Sequence, residues 1–233
     1  MAPVVLALKE NPDFETLVCV TAQHRQMLDQ VLSLFEITPD YDLNVMTPNQ
    51  DLSSLTAKIL LDLKPILEKE KPDAVLVHGD TTTTMAASLA CFYAGIPVGH
   101  VEAGLRTFNM QYPFPEEMNR VVTDSIATWH FAPTEGSKNN LLKCGASEAT
   151  ITVTGNTVID ALLYTLDKTQ ADIQLPVTIP SNKRMVLVTT HRRENFGEPL
   201  KEICNALLTL LEKFDDVIIV LPVHPNPNVK TTV

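Results

Sequence analysis

Between residues 74 and 107 the chain reads AVLVHGDTTTTMAASLACFYAGIPVGHVEAGLRT, and few folds accommodate that order. A short apolar run, Ala74 to Val77, ends in His78, Gly79 and Asp80. Four threonines follow, and Met85, Leu89 and Phe92 then recur at helical spacing as far as Gly95. Glycine there suits the left-handed position just past a helix end. Pro97 to Val101 form a second apolar run, which ends in Glu102, Ala103 and Gly104. Strand, helix and strand in so little chain predict a right-handed βαβ unit with parallel strands.

Parallel strands end on the same side, so this unit brings Asp80 and Glu102 to one edge. That edge, beyond the carboxyl ends of the strands, is where open α/β sheets take ligands. The threonines begin a helix there, with free backbone N–H groups and hydroxyls suited to an anion such as phosphate. Two carboxylates beside such a turn point to proton chemistry on a phosphorylated or nucleotide-linked substrate. A plainer reading has Asp80 capping the helix and Glu102 merely ending a strand. At this level both stand.

The totals narrow the class. The chain has 233 residues, 45% of them hydrophobic, and no apolar run nears the roughly 18 residues of a membrane span. Met1-Ala2-Pro3 leads straight into Val4 to Leu8, which does not read as a signal peptide. A formal charge of −10 without any basic run argues against a nucleic-acid partner. Cys19, Cys91, Cys144 and Cys204 are scattered through apolar segments without a CxxC pair, and are expected as reduced core residues of a cytoplasmic protein.

Residues 2–9 read as a helix with no strand before it, and Leu17 to Val20 as a strand. Thr21 to Gln26 lie at that strand's carboxyl end, and Met27, Leu28, Val31, Leu32 and Phe35 continue as an amphipathic helix. Asp42 to Met46 suggest a short strand, and Leu52 to Lys69 a long helix that Pro65 should kink. Pro113 to Glu117 carry a helix-start signal, with Met118, Val121, Val122 and Ile126 as the apolar face. Glu116, Asn119 and Arg120 share another face. Trp129 to Ala132 and Ile151 to Thr154 read as buried strands, each followed by a helix. The expected organisation is a Rossmann-like domain over 1–167, a linker over 168–183, and the start of a second such domain over 184–233. In the latter, Met185 to Thr190, Leu200 to Phe214 and Val217 to Leu221 make another βαβ unit.

In that second unit His191, Arg192, Arg193, Glu194, Asn195, Phe196 and Gly197 hold the place that Asp80 to Thr84 hold in the first. A histidine and two arginines between strand end and helix start suit a phosphate clamp, with His191 able to move a proton. A solvated basic turn is the plain alternative. His100, inside a strand, and His130, beside Trp129, are expected as satisfied core residues. The six histidines show no metal-ligand spacing, so no metal is predicted. There is no GxGxxG, no GxSxG elbow and no Walker lysine. The expectation is two α/β units facing across a cleft, carboxylates on one side and a His/Arg cluster on the other.

Five segments together resemble the UDP-N-acetylglucosamine 2-epimerases, above all the bacterial non-hydrolysing group. They are Thr21 to Leu28, Val77 to Thr82, His100 to Thr107, Pro113 to Arg120, and His191 to Gly197, in the family's order along nearly the whole chain. The resemblance implies an α/β fold of two Rossmann-like domains, GT-B in type. It implies interconversion of UDP-N-acetylglucosamine and UDP-N-acetylmannosamine for cell-surface polysaccharides, by elimination of UDP to a 2-acetamidoglucal and its re-addition. Asp80, Glu102, Glu116 and His191 match the family's catalytic groups, and Asp80, Thr81, Glu102, Arg106, His191 and Asn195 its substrate contacts. Gln23, Gln26, Arg192 and His224 match a site for a second UDP-N-acetylglucosamine as activator, while no cofactor and a homodimer are implied. Family members begin with a further strand and a Gly-Thr-Arg-Pro-Glu turn before the equivalent of Met1, and continue past Val233. The chain is therefore expected to be truncated at both ends and inactive alone. Alternatives are a hydrolysing epimerase, a glycosyltransferase of the same architecture, or an inactive fragment.

Overall fold

The computed structural model describes residues 1–22, 25–47, 50–169, 178–190 and 197–223, apart from the side chains of Gln26 and Thr169. The chain divides into two compact units, Met1–Ala171 and Asp172–Val233.

The first unit opens with helix α1 (Ala2–Glu10), strand β1 (Cys19–Val20), helix α2 (Arg25–Leu34) and strand β2 (Tyr41–Asp42). β1 and β2 pair in parallel as a small sheet, Cys19 opposite Tyr41. Both strands are shorter than the apolar runs suggest. Val18 gives its N–H to the Asp40 carboxylate and Asn44 turns left-handed at φ +44°, although the Val45 N–H still reaches Thr21 O at 2.9 Å. Helix α3 (Leu52–Glu70) starts where Asp51 accepts the Ser54 N–H at 2.7 Å. It buries Leu55, Ile59, Leu63 and Leu67, which recur every four residues on one face. Pro65 stands inside this helix.

Strand β3 (Val75–His78), helix α4 (Thr82–Ala94) and strand β4 (Val98–Val101) form the expected βαβ unit, with Val77 opposite His100. Thr81, not Asp80, caps α4, accepting the Thr84 N–H at 3.3 Å. Gly95 closes that helix at φ +71°. Helix α5 (Glu116–Ile126), strand β5 (Trp129–Ala132), helix α6 (Glu135–Lys143), strand β6 (Ile151–Val153) and helix α7 (Thr157–Thr169) complete the unit. One four-stranded parallel sheet results, in the order β3-β4-β5-β6. α7 extends two residues into the stretch assigned to the linker, ending at Thr169.

Among the described residues of the first unit, the core gathers in three clusters. Leu63, Leu67, Val77, Ala90, Cys91 and Val98 pack α3 and α4 onto the sheet. Val45, Leu55, Ile59 and Ala86 join the segment after β2 to the same helices. Ala103, Ala132, Leu141 and Ile151 seat α6. Several expectations fail here. Of the four cysteines only Cys91 is buried, its thiol pushed up to about 12 by burial, whereas Cys19 and Cys144 are exposed and Cys204 is intermediate. β5 and β6 are buried only in part: Trp129 is 40% exposed, and Thr152 and Val153 face outward because β6 is the sheet's last strand.

α5 lies the opposite way round from its apolar pattern. The fully buried positions are Glu117, Asn119, Arg120, Thr123 and Asp124, while Met118, Val121, Val122 and Ile126 are only half-buried. Charged groups on the side facing inward need partners there, and the partners are the residues at the strand ends.

The second unit holds strand β7 (Arg184–Leu187), helix α8 (Glu198–Lys213) and strand β8 (Val217–Val220). β7 and β8 run parallel, Arg184 opposite Val217, with Leu200 of α8 buried. The second βαβ unit read from the sequence is therefore present. Among the described residues no helix is long and apolar enough to cross a membrane.

Candidate active site

β3 ends at His78, and the chain then turns sharply. Gly79 adopts φ +71° and gives its N–H to Val101 O at 3.0 Å, which holds the turn against the end of β4. A Cβ at Gly79 would lie 3.3 Å from Glu102 Oε2, so glycine lets the two strand ends close together. Glu102 follows β4 at φ +67°, a backbone region that residues other than glycine seldom occupy. Its side chain is held from another element: Asn156, after β6, donates from Nδ2 to Oε1 at 2.8 Å. Oε2 stands 3.9 Å from His78 Nε2, and Thr157 Oγ1 is 3.5 Å from that same nitrogen. Burial holds the His78 pKa below the ordinary imidazole value, and the Glu102 carboxylate pulls the other way.

Asp80 is gripped by α5. Arg120 Nη2 donates to Asp80 Oδ2 at 2.6 Å, and Asn119 Nδ2 donates to the Asp80 carbonyl at 2.9 Å. The other end of the guanidinium, Nη1, lies 3.3 Å from Glu117 Oε2. Glu117 is 1% exposed and also accepts the N–H groups of Thr107 and Phe108, at 3.0 and 2.9 Å. One turn beyond Arg120, Asp124 binds His100 Nδ1 at 2.5 Å, Arg106 Nη2 at 2.6 Å and the Gly104 N–H at 3.3 Å. His100 Nε2 reaches Gly79 O at 2.7 Å, so this buried cluster props the turn that carries Asp80. Burial acts to raise the Asp124 pKa, but the hydrogen bonds and charges of His100 and Arg106 overcome it and hold the carboxylate below its ordinary range.

The structure thus brings Asp80 and Glu102 together at adjacent strand ends, their side chains 33% and 24% exposed. Glu116 opens the helix whose Asn119 and Arg120 hold Asp80, and is half-buried. Thr81 sits at the head of α4 as its cap. Arg106, expected at the substrate, has its side chain only 2% exposed and its guanidinium bound to Asp124. His100 and His130 are buried and hydrogen-bonded, as the sequence suggests, His130 Nε2 lying 3.0 Å from Asp124 O. Gln23, His191, Arg192, Asn195 and His224 lie outside the described residues, as does the side chain of Gln26. Among the described residues no cluster of His, Cys, Asp and Glu is placed to hold a metal ion. A groove of about 820 Å³, lined by Leu60, Leu67, Lys71, Tyr93 and Ile96 among others, contains none of the groups described above.

Sequence reasoning missed His78, Glu117, Asp124 and Asn156. Asn156 was findable, since it follows β6 as Asp80 follows β3. Glu117, Arg120 and Asp124 recur at i, i+3 and i+7, the spacing of one helix face.

A four-stranded parallel sheet with two supported carboxylates at adjacent carboxyl ends defines a Rossmann-like α/β domain, a class of fold in which ligands are taken at the strand ends. Residues 6–233 match the family model described as UDP-N-acetylglucosamine 2-epimerase, and the chain belongs to that family. It is 55% identical over 240 residues to UDP-N-acetylglucosamine 2-epimerase of Escherichia coli (strain K12), covering 100% of this chain and 64% of that one. The enzyme of that name from Salmonella typhimurium is 57% identical over 241 residues, with the same coverage of 100% and 64%. Among solved structures, UDP-GlcNAc 2-epimerase from Neisseria meningitidis bound to UDP-GlcNAc matches with a TM-score of 0.95 at 53% identity, over 100% of this chain and 64% of that one. The parallel α/β, GT-B-type fold class read from the sequence is borne out by this likeness. The chain spans 64% of the length of these relatives.

Proposed function

We propose that the protein interconverts UDP-N-acetylglucosamine and UDP-N-acetylmannosamine, supplying cell-surface polysaccharide synthesis. The observation that carries this reading is the pair Asp80 and Glu102, at adjacent strand ends and held by different elements, Arg120 of α5 and Asn156 after β6. Two carboxylates supported from separate sides suit a reaction that removes a proton from one face of a carbon and returns one to the other. The Neisseria relative, solved with UDP-GlcNAc, supports the substrate class.

The C2 hydrogen of the sugar is not α to a carbonyl, so simple enolisation cannot remove it. In the proposed step an ionised carboxylate takes the C2 proton while the C1–O bond breaks and its electron pair leaves with UDP. The C1–C2 double bond so formed is that of 2-acetamidoglucal. UDP then re-adds at C1 as a protonated acid delivers hydrogen to the opposite face of C2. Asp80, Glu102 and Glu116 are the candidate acids and bases. Thr81 and the amino end of α4 suit the diphosphate, with His191 and Asn195 completing its binding. Arg106, bound to Asp124, serves this reading as a support of the Gly79 turn. A second UDP-N-acetylglucosamine bound by Gln23, Gln26, Arg192 and His224 as activator, and a homodimer, belong to the same proposal. No electron is transferred overall, so the reaction calls for no redox cofactor.

The test is turnover in heavy water by the chain carried to its relatives' length. Deuterium should enter C2 of both epimers without added nicotinamide. Retention of the original hydrogen would point to a ketone route, and release of free N-acetylmannosamine to the hydrolysing reaction; either result overturns the proposal.

A further inference from the structure

We infer that Arg120 and Glu117 form a positioning pair for Asp80: Glu117 anchors the guanidinium from behind, and Arg120 fixes which carboxylate oxygen of Asp80 meets the substrate. The inference rests on the proposed role of Asp80 in proton transfer at C2.

Arg120 Nη2 occupies Asp80 Oδ2 at 2.6 Å, and among the described residues Oδ1 has no partner. Asn119 holds the backbone carbonyl of the same aspartate, so one helix fixes both its main chain and its side chain. The guanidinium does not depend on Asp80 for its place, because Nη1 lies 3.3 Å from Glu117 Oε2. Glu117 is in turn tied to the backbone N–H groups of Thr107 and Phe108. When Asp80 gains a proton during turnover, Arg120 keeps a counter-charge and need not move. The cation is also shared between two carboxylates, so each limits its pull on the other.

A purely stabilising network would be built differently. Buried ion pairs contribute little beyond what apolar packing supplies. Among the described residues, the buried Arg120 Nε and Asn119 Oδ1 find no hydrogen-bond partner, an expense that a framework selected for stability alone would avoid. α5 also carries apolar residues that remain half-buried while Glu117, Arg120 and Asp124 are buried. The helix is turned so that these groups meet the strand ends.

The charged groups around Asp80 are Arg120 and Glu117, with Glu116 in the first turn of α5 and His78 and Glu102 at the ends of β3 and β4. Arg120→Met, Arg120→Lys and Glu117→Gln separate their contributions. The first readout is the orientation of the Asp80 side chain in crystal structures of this chain and its variants, without substrate. In Arg120→Met the Asp80 carboxylate should leave the position it holds against Nη2, and in Glu117→Gln the guanidinium should shift from its place. Arg120→Lys should keep the Asp80 carboxylate in place, and Arg120→Gln stands in for Arg120→Met if that variant does not fold. The second readout is kcat and KM in the chain carried to its relatives' length. Arg120→Met and Glu117→Gln should each lower kcat about tenfold or more with KM nearly unchanged, and Arg120→Lys should restore most of it.

An Asp80 carboxylate that keeps its orientation in Arg120→Met, or a kcat left unchanged by both substitutions, overturns the inference even if wild-type turnover is normal. A displaced Asp80 carboxylate with no epimerisation by the wild type upholds the positioning pair and overturns the proposed function instead.

Discussion

Asn156 donates from Nδ2 to Glu102 Oε1 at 2.8 Å, joining the loop after β6 to the residue that follows β4. The amide cannot flip without loss, because its Oδ1 accepts the Val158 N–H at 3.0 Å in the first turn of α7. One side chain thus caps a helix and aims a carboxylate. Glu102 needs such a hold, since its left-handed backbone costs on the order of 1–3 kcal/mol and does not fix the side chain by itself.

Two substitutions at Asn156 should therefore part company. Asn156→Asp keeps the cap but turns a carboxylate oxygen toward Glu102, so kcat should fall by about a hundredfold or more with a small change in melting temperature. Asn156→Ala loses the cap as well, at about 0.5–2 kcal/mol, while its kcat falls less because no like charge is introduced. Kinetics in the chain carried to its relatives' length, and thermal melts of both variants, decide the matter. A milder kinetic effect from the aspartate would mean that Asn156 serves α7 alone.

How far the sequence revealed the site depends on whether the signal was local. Asp80 and Glu102 were legible because a strand, a helix and a second strand lie within 34 contiguous residues, and parallel pairing sends both ends to one side. Asn156 obeys the same rule, but 54 residues separate it from its partner, and nothing local links Gly155-Asn156 to Glu102. The orientation of α5 was misread for a physical reason. Its apolar residues outnumber its charged ones on one face, yet which face turns inward depends on what awaits there. His100, Arg106 and Asp80 await it, arriving from three other places in the chain.

Glycines set the spacing around this site, and two of them make a contrast. A Cβ on Gly104, at φ +86°, would fall 2.4 Å from the Ser137 carbonyl and 2.8 Å from Leu141 Cγ. The backbone of α6 cannot yield easily, and the left-handed conformation adds strain, so Gly104→Ala should cost about 2–4 kcal/mol. On Gly99 the added carbon would meet Leu76 Cδ2 at 2.6 Å and Phe131 Cε2 at 3.0 Å, side-chain atoms with some freedom to move. Gly99→Ala should cost about 1–2 kcal/mol. Urea unfolding midpoints at unchanged m would compare them, and equal losses would contradict the assigned crowding by α6.

The Asp124 cluster predicts how stability responds to acid. Its carboxylate is ionised in the fold by contact with His100 and Arg106, and its folded pKa is depressed relative to the unfolded chain, where an aspartate titrates near about 3.9. Between those two values the unfolded chain binds the proton and the folded one does not, so stability there rises with pH. The contribution is complete above the unfolded value and is lost as pH falls through the folded one. Asp124→Asn removes that titration, so its stability should fall less steeply than the wild type's below about pH 4. At neutral pH the same variant should be less stable by about 3–5 kcal/mol, because the Arg106 side chain, 2% exposed, loses its counter-charge while still buried, and His100, 1% exposed, loses its ionised hydrogen-bond partner. Denaturant unfolding from pH 7 down to the acid transition measures both effects. Identical acid slopes in the two proteins would show that another carboxylate governs the acid transition, and a neutral-pH loss under about 1 kcal/mol would show that the cluster does not hold the turn at Gly79.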